Sequence, residues 1–247
     1  MATFILIHGS WHGGWCFDHV ADALRAAGHD VIAPDLPGMG GDEATLRAVS
    51  LQGWADFAAA LCRGARQRPV ILAGHSRGGL VVSQAAETAP EAIDALVYIC
   101  AMMLPDGMAR AQFKTLERPN PAFDAIISPL FDGAGTVVDP ARAGAIFAQL
   151  SPPADVERAT ARLVAEPHAP RSTPLRLTPA RFGSLPRHYI ECLHDKTIAI
   201  VSQRRMQAMV PGAMVTSLDA DHSPFFSRPE ELTAALLATI PDDQGRR

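Results

Sequence analysis

Residues 70–82, VILAGHSRGGLVV, set the tightest limit on how this chain can fold. Four apolar residues lead into Gly74-His75-Ser76-Arg77-Gly78, and apolar residues resume at Leu80 after a further glycine. The run before the break is short and rich in β-branched residues, so it reads as a buried strand; the run after it reads as a helix. A strand that turns straight into a helix through G-x-S-x-G holds its serine on a sharp, strained bend. Glycine two residues to either side lets backbone approach closely. The Ser76 hydroxyl is thereby lifted out at the carboxyl end of a sheet. The free N–H groups and positive dipole end of the following helix point to the same place.

The rest of the chain supplies such a sheet. TFILIHG, DVIAPDLPG, PVILAG and DALVYICA read as strands, and helical spacing falls between them at Phe17–Ala27, Leu51–Arg63 and Leu80–Thr88. The strands are apolar on both faces and alternate with helices, which predicts an α/β fold with a mainly parallel sheet covered on both sides. The texture changes after Leu104. Residues 105–185 are proline-rich, lack continuous β-rich runs and show helical spacing only over 140–150 and 154–165. This stretch reads as an inserted lid over the sheet. The alternation then returns with RHYIECL, a helix at Ile198–Met209, AMVTSL and a closing helix at Glu230–Thr239. The expected organisation is one domain over 1–247, with a core of 1–104 and 186–240, a lid of 105–185 and a frayed tail, PDDQGRR.

A serine hydroxyl near neutral pH needs a general base, and a strand-to-helix serine is followed in chain order by its acid and then its histidine. His222, in DADHSPFF, lies after the last expected strand, where that base belongs. Asp195 follows RHYIECL and is the candidate to orient the imidazole. Asp219 and Asp106 are weaker alternatives, and the Asp221 side chain is expected to point elsewhere. Two backbone donors must hold an oxyanion. The Arg77 N–H supplies one. The glycine-rich loop HGSWHGGW supplies the other, assigned to Ser10. His8 and His12 read alternatively as a metal pair, but no third ligand stands at useful spacing and no H-E-x-x-H occurs, so no metal is expected.

Composition narrows the function classes. Of 247 residues 48% are hydrophobic, as in an ordinary globular chain, and the net charge of −4 comes without a lysine- or arginine-rich run, which argues against nucleic acid. The arginines between Arg142 and Arg187 are scattered among acids and read as a solvated face. Cys16, Cys62, Cys100 and Cys192 form no C-x-x-C pair. The opening apolar run Phe4–Ile7 is too short for a signal peptide, and none approaches the roughly 20 residues of a membrane helix. A cytoplasmic protein with no membrane partner is expected.

LIHGSWHGGW, AAGHDVIAPDL, VILAGHSRGG, FAQLSPPADVERATARLV, RFGSLPRHYIECLHDK and DADHSPFF together resemble the α/β-hydrolase superfamily. More narrowly they resemble the plant methylesterase and hydroxynitrile lyase family and its bacterial esterase relatives. QRRMQAMVPG and HSPFFSRPEEL are also similar to bacterial carboxylesterases acting on pyrethroid-type esters. The resemblance covers most of the chain. It implies a cofactor-free serine hydrolase with the triad Ser76, Asp195 and His222, a lid over an apolar pocket and, often, a homodimer. Hydroxynitrile lyases carry threonine where this chain has Gly9, lysine where it has Ser223, and glutamate where it has His75. All three departures favour ester hydrolysis over lyase chemistry. Arg77 replaces a residue that is usually small or apolar, so its side chain either narrows the pocket or forms an ion pair.

The expected function is therefore cleavage of a small to medium, mostly apolar carboxylic ester. Cyanohydrin cleavage and a non-catalytic ligand-binding role on the same fold are the alternatives. Gly9, Trp11, His12 and Ser223 are expected beside the substrate. Phe113, Phe123, Phe131, Phe147 and Leu150 either line the pocket or hold the lid to the sheet. The lid offers few charges at apolar positions, so the pocket should be mostly apolar.

Overall fold

The computed structural model describes residues 1–241, so the fraying expected of the tail beyond Pro241 lies outside the described residues. In chain order the strands are β1 (Thr3–Ile7), β2 (Asp30–Ile32), β3 (Val70–His75), β4 (Ala95–Ile99), β5 (Ile127–Leu130), β6 (Gly135–Val138), β7 (Glu166–Pro167), β8 (Arg187–Cys192) and β9 (Ala213–Leu218). Six of them form one sheet in the order β2-β1-β3-β4-β8-β9, and every neighbouring pair is parallel. The mainly parallel sheet of an α/β fold is thus present.

Every residue of β1, β3 and β4 is buried, because each strand feeds two cores. Ile5, Ile7, Leu72, Leu96 and Tyr98 pack with the helices Leu51–Arg63 and Gly78–Thr88. Their alternates Phe4, Leu6, Ile71, Val97 and Ile99 pack on the other face with Asp18–Ala26 and Pro229–Leu237. Alternation along a strand sends successive side chains to opposite faces, so covering both faces demands unbroken apolar runs. Each fully buried aliphatic or aromatic side chain contributes about 1.5–3 kcal/mol. Ser50 opens the Leu51–Arg63 helix by accepting the Gly53 N–H at 3.0 Å. All four cysteines are free and buried.

Residues 105–185 join β4 to β8 and hold one feature that the sequence pattern hid: β5, β6 and β7 form a small antiparallel sheet. Strands of four, four and two residues are too short for a period to register, and Pro129 masks β5 further. The β5–β6 turn runs through Phe131, Asp132 and Gly133, all with positive φ. The expected helices are shorter than read, Pro140–Phe147 and Pro153–Thr160. DVIAPDLPG is a strand over only three residues, since Pro34 has no N–H to continue the ladder. No helix among the described residues is long and apolar enough to cross a membrane.

Register decides what the loops bring together. Ile7 pairs with Gly74, so the chain leaving β1 lies beside the chain leaving β3. Cys192 pairs with Leu218, so the loops after β8 and β9 are neighbours too. The chain runs outward from β1 in one direction to β2 and in the other to β3. A crevice opens at such a switch point, outside the carboxyl ends of the strands.

Candidate active site

Ser76 takes φ +54°, a left-handed conformation that a side chain adopts only at a cost. Its own backbone secures the bend: the N–H donates to the Ile99 carbonyl at 3.1 Å, and the carbonyl accepts from Gly79 and Met102. The flanking glycines are sterically required. A Cβ on Gly74 would stand 2.7 Å from the Gly78 backbone, and one on Gly78 would stand 2.6 Å from the Ile7 carbonyl oxygen.

The loops after β8 and β9 deliver the other two expected residues. His222 Nε2 lies 3.1 Å from Ser76 Oγ, and His222 Nδ1 lies 2.7 Å from Asp195 Oδ2. All three side chains are buried. The second Asp195 oxygen accepts the N–H groups of Thr197 and Ile198, each at 2.7 Å, which aims the carboxylate. His75 donates from Nε2 to the His222 carbonyl at 2.7 Å, pinning the histidine loop to the elbow. Burial, and then the neighbouring His222 and His12, hold the His75 pKa well below the usual imidazole range. The alternative acids are occupied elsewhere. Asp106 accepts the Leu177 N–H, and exposed Asp219 meets His194 and Arg228. Asp221 turns away from the imidazole and accepts from Ser223, Ser227, Leu150 and Ser151, which ties residues 150–151 to the histidine loop.

The Ser10 and Arg77 backbone N–H groups have no acceptor among the described residues. Their directions are nonetheless fixed. His8 donates from Nδ1 to the Gly9 carbonyl at 2.8 Å, while its Nε2 accepts the Leu36 N–H at 2.9 Å. Arg77 Nη2 donates to the same Gly9 carbonyl at 2.9 Å. The Gly9 C=O and the Ser10 N–H share one rigid peptide plane, so holding the first orients the second. With both ring nitrogens committed to backbone, His8 is held neutral. Burial, joined by Arg77, lowers its pKa to about 3. Gly9 cannot bear a side chain here, because its Cβ would meet His75 Nδ1 at 2.7 Å and Ser76 Cβ at 2.9 Å.

The Arg77 side chain forms the ion pair that the sequence allowed, and its partner is one the sequence did not disclose. Arg77 Nε lies 2.8 Å from Glu166 Oε1 on β7, with the two side chains 4% and 0% exposed. The guanidinium lies 4.2 Å from the centre of the Trp54 ring. Glu166 Oε1 also accepts the Ser10 hydroxyl at 3.0 Å. One carboxylate of the 105–185 segment therefore touches both residues expected to donate to an oxyanion.

Ser76, His222, Ser10 and Arg77 open onto one narrow cleft. Trp11, His12, Phe123 and Phe147 line it as expected. Trp11 stacks on Phe147, with ring centroids 5.9 Å apart. Five residues expected on the lining lie elsewhere. Phe113 is fully buried in the core with Leu104 and Leu175, away from the cavity. Leu150 is 44% exposed, because it lies beyond the end of its helix with its side chain outward, and only its N–H is used. Ser223 borders a separate small hollow between His12, Phe147 and Leu163. Gly9 packs against the elbow behind the cavity surface. Phe131, too, lies away from it, 40% exposed in the β5–β6 turn. The lining is mostly apolar, with Met102 and Ile198 beside the aromatic rings, but Arg110 and Arg171 join Arg77 in the wall. Neither arginine carries a sequence signal. Arg110 begins a five-residue helix and Arg171 sits in a four-residue one, both too short for a period to show which side faces inward.

A parallel sheet with a serine at the strand-to-helix bend, facing a histidine and an aspartate from later loops, defines the class as an α/β hydrolase. The chain belongs to the alpha/beta hydrolase family, whose model matches residues 4–236. It is 33% identical to a pyrethroid hydrolase of Sphingobium wenxiniae, over 96% of this chain and 86% of that protein. It is 32% identical to methylesterase 7 of Arabidopsis thaliana, over 95% and 94% of the two chains. The crystal structure of a pyrethroid hydrolase from Sphingobium faniae superposes with a TM-score of 0.86, at 29% identity and 99% coverage of both chains.

Proposed function

We propose that this protein is a carboxylic ester hydrolase that works through an acyl-enzyme on Ser76. The observation that carries the reading is the hydrogen-bond chain Ser76–His222–Asp195, at 3.1 and 2.7 Å, at the foot of a cleft lined by Trp11, Phe123 and Phe147. The ester-hydrolase names of its relatives support the same class. As Ser76 Oγ attacks the ester carbonyl carbon, His222 Nε2 takes its proton. Asp195 accepts the Nδ1–H, fixing the productive tautomer and stabilising the imidazolium. The oxygen that becomes negative sits between the Ser10 and Arg77 N–H groups, helped by the N-terminus of the Gly78–Thr88 helix. His222 then protonates the leaving alcohol. Water, deprotonated by the same nitrogen, cleaves the acyl-enzyme and releases the acid.

In this reading residues 105–185 are the lid. Trp11, Phe123 and Phe147 hold the apolar part of the substrate near the reacting carbon. Lyase chemistry is disfavoured by Gly9, where the threonine of the lyase pattern would collide with His75 and Ser76. The test is hydrolysis of a p-nitrophenyl ester series from short to long acyl chains. Ser76→Ala should abolish turnover while leaving the thermal transition in place. Near-normal turnover by that variant would refute the mechanism, and cyanide release from mandelonitrile would revive the lyase.

A further inference from the structure

The cavity wall contains three arginines and, among the described residues, no aspartate or glutamate. Their charges are not equally spent. Arg77 is matched by Glu166. Arg110 pairs with Glu117 at 2.6 Å, yet its Nη1 is buried with no protein acceptor. Arg171 has no carboxylate partner among the described residues. Its Nη1 is likewise buried without an acceptor, and its guanidinium lies 5.9 Å from the centre of the Trp11 ring. Set against their partners Glu166 and Glu117, which stand behind the wall, the three arginines leave one positive charge over. Burial and then Arg171 oppose Arg77's charge, and Arg171 likewise adds to the burial that lowers the pKa of Arg110. A guanidinium surrounded by others and facing an opening is a site for an anion.

The approach to the cavity has the same sign. A second, outer depression shares Arg110, Phe123 and Thr197 with it. There Lys114 is paired with Asp124. Exposed Arg118 and Arg205 line the same depression without a carboxylate partner among the described residues. Unscreened positive charge along a mouth raises the local concentration of anions.

We propose that Arg171 and Arg110 form a carboxylate subsite, so that the preferred substrates are half-esters whose free carboxylate lies there while the ester carbonyl meets Ser76. The proposal rests on the esterase reading and names its substrate class. A single surplus charge matches a monoanion, which selects a carboxylate over a phosphate dianion. Planar guanidinium groups with free Nη donors offer the paired hydrogen bonds that a carboxylate accepts. The aromatic residues between this wall and Ser76 suit the methylene chain joining the two carboxyl groups.

The test compares mono-p-nitrophenyl adipate with p-nitrophenyl heptanoate, close in length and differing in the terminal charge. The wild type should cleave the adipate ester with at least a tenfold higher kcat/KM in 20 mM salt, and the advantage should shrink as sodium chloride is added. Arg171→Gln should remove that advantage, bringing the adipate-to-heptanoate ratio of kcat/KM to about one through KM on the adipate ester, with an unchanged thermal transition certifying the fold; Arg171→Lys should recover part of it. Equal use of both esters by the wild type, or an equal loss on both in Arg171→Gln, would overturn the subsite. If neither ester is cleaved, the esterase reading fails, and calorimetry with monomethyl adipate, a monoanion of the same length, decides the subsite separately. Binding that weakens in Arg171→Gln sustains it, and no binding to the wild type overturns it.

Discussion

Glu166→Gln is the most informative single change outside the Ser76–His222–Asp195 chain. It keeps the shape of a fully buried side chain and removes the charge that offsets Arg77 at 2.8 Å. Removing one partner of a buried pair costs about 3–5 kcal/mol, because the remaining charge is stranded. In a chain of this size each kcal/mol moves the midpoint by about 2–4 °C, so Tm should fall by about 6–20 °C. The activity loss follows from different contacts. With Glu166 neutral, Arg77 is no longer held where its Nη2 reaches the Gly9 carbonyl, and the Ser10 N–H loses one of its two anchors. Loss of a whole oxyanion donor costs about 10²–10³ in kcat. A loosened pair should cost about 10- to 10³-fold, in kcat rather than KM, since the oxyanion exists only beyond the ground state. Calorimetric scans and steady-state kinetics on a p-nitrophenyl ester read both quantities. Arg77→Met/Glu166→Met separates them: it strands no charge and should regain most of the stability while kcat stays low. A Glu166→Gln enzyme with Tm within 2 °C and kcat within about twofold of wild type would refute the brace. Recovery of kcat together with stability in the double variant would reduce it to packing.

Asp195→Asn should lower kcat by about 10⁴ with the fold intact. The amide oxygen will keep the Thr197 and Ile198 N–H bonds, so the NH₂ faces His222 Nδ1 and forces the proton onto Nε2, where a base cannot carry it; a loss under tenfold would refute this. Acid sensitivity should come from the buried imidazoles. His8 and His12 are held by burial at about 3 and about 4, below the 6.5 of an exposed ring, so between these values the unfolded chain binds protons that the native one does not. Their contribution is complete above pH 6.5 and is lost on acidification, by roughly 1 kcal/mol per pH unit for each ring. Urea unfolding at pH 7, 6 and 5 measures it, and a flat profile would show that the rings protonate without unfolding.

Legibility in the sequence tracked local constraint. The elbow announced itself because its sterics need glycine at fixed offsets, and β1, β3 and β4 did because two-sided burial leaves unbroken apolar runs. Asp195 and His222 were locatable by their position after strands, without any motif of their own. Glu166 was not, since its role arises from a contact with Ser10 across 156 residues. The same holds for Arg171, which looked like one more solvent-facing arginine until the fold turned it toward Trp11. Phe113 and Leu150 show the reverse error: an apolar residue in the 105–185 segment has several surfaces to cover, and spacing does not say which.

The fastening of residues 105–185 has a consequence for how such enzymes diverge. Glu166 grips the loop after β1 and the elbow, and the Leu150–Ser151 backbone grips Asp221 beside the histidine. The segment that shapes the cavity is thus also a structural strut of the loops that carry Ser10, Ser76 and His222. Grafting another relative's segment wholesale would change the pocket and slacken the machinery in one stroke. New substrate ranges are therefore reached through point changes at positions such as Arg110, Phe123, Phe147 and Arg171, which face the cavity and make neither the Glu166 nor the Asp221 contacts. The scaffold favours gradual retuning over modular exchange.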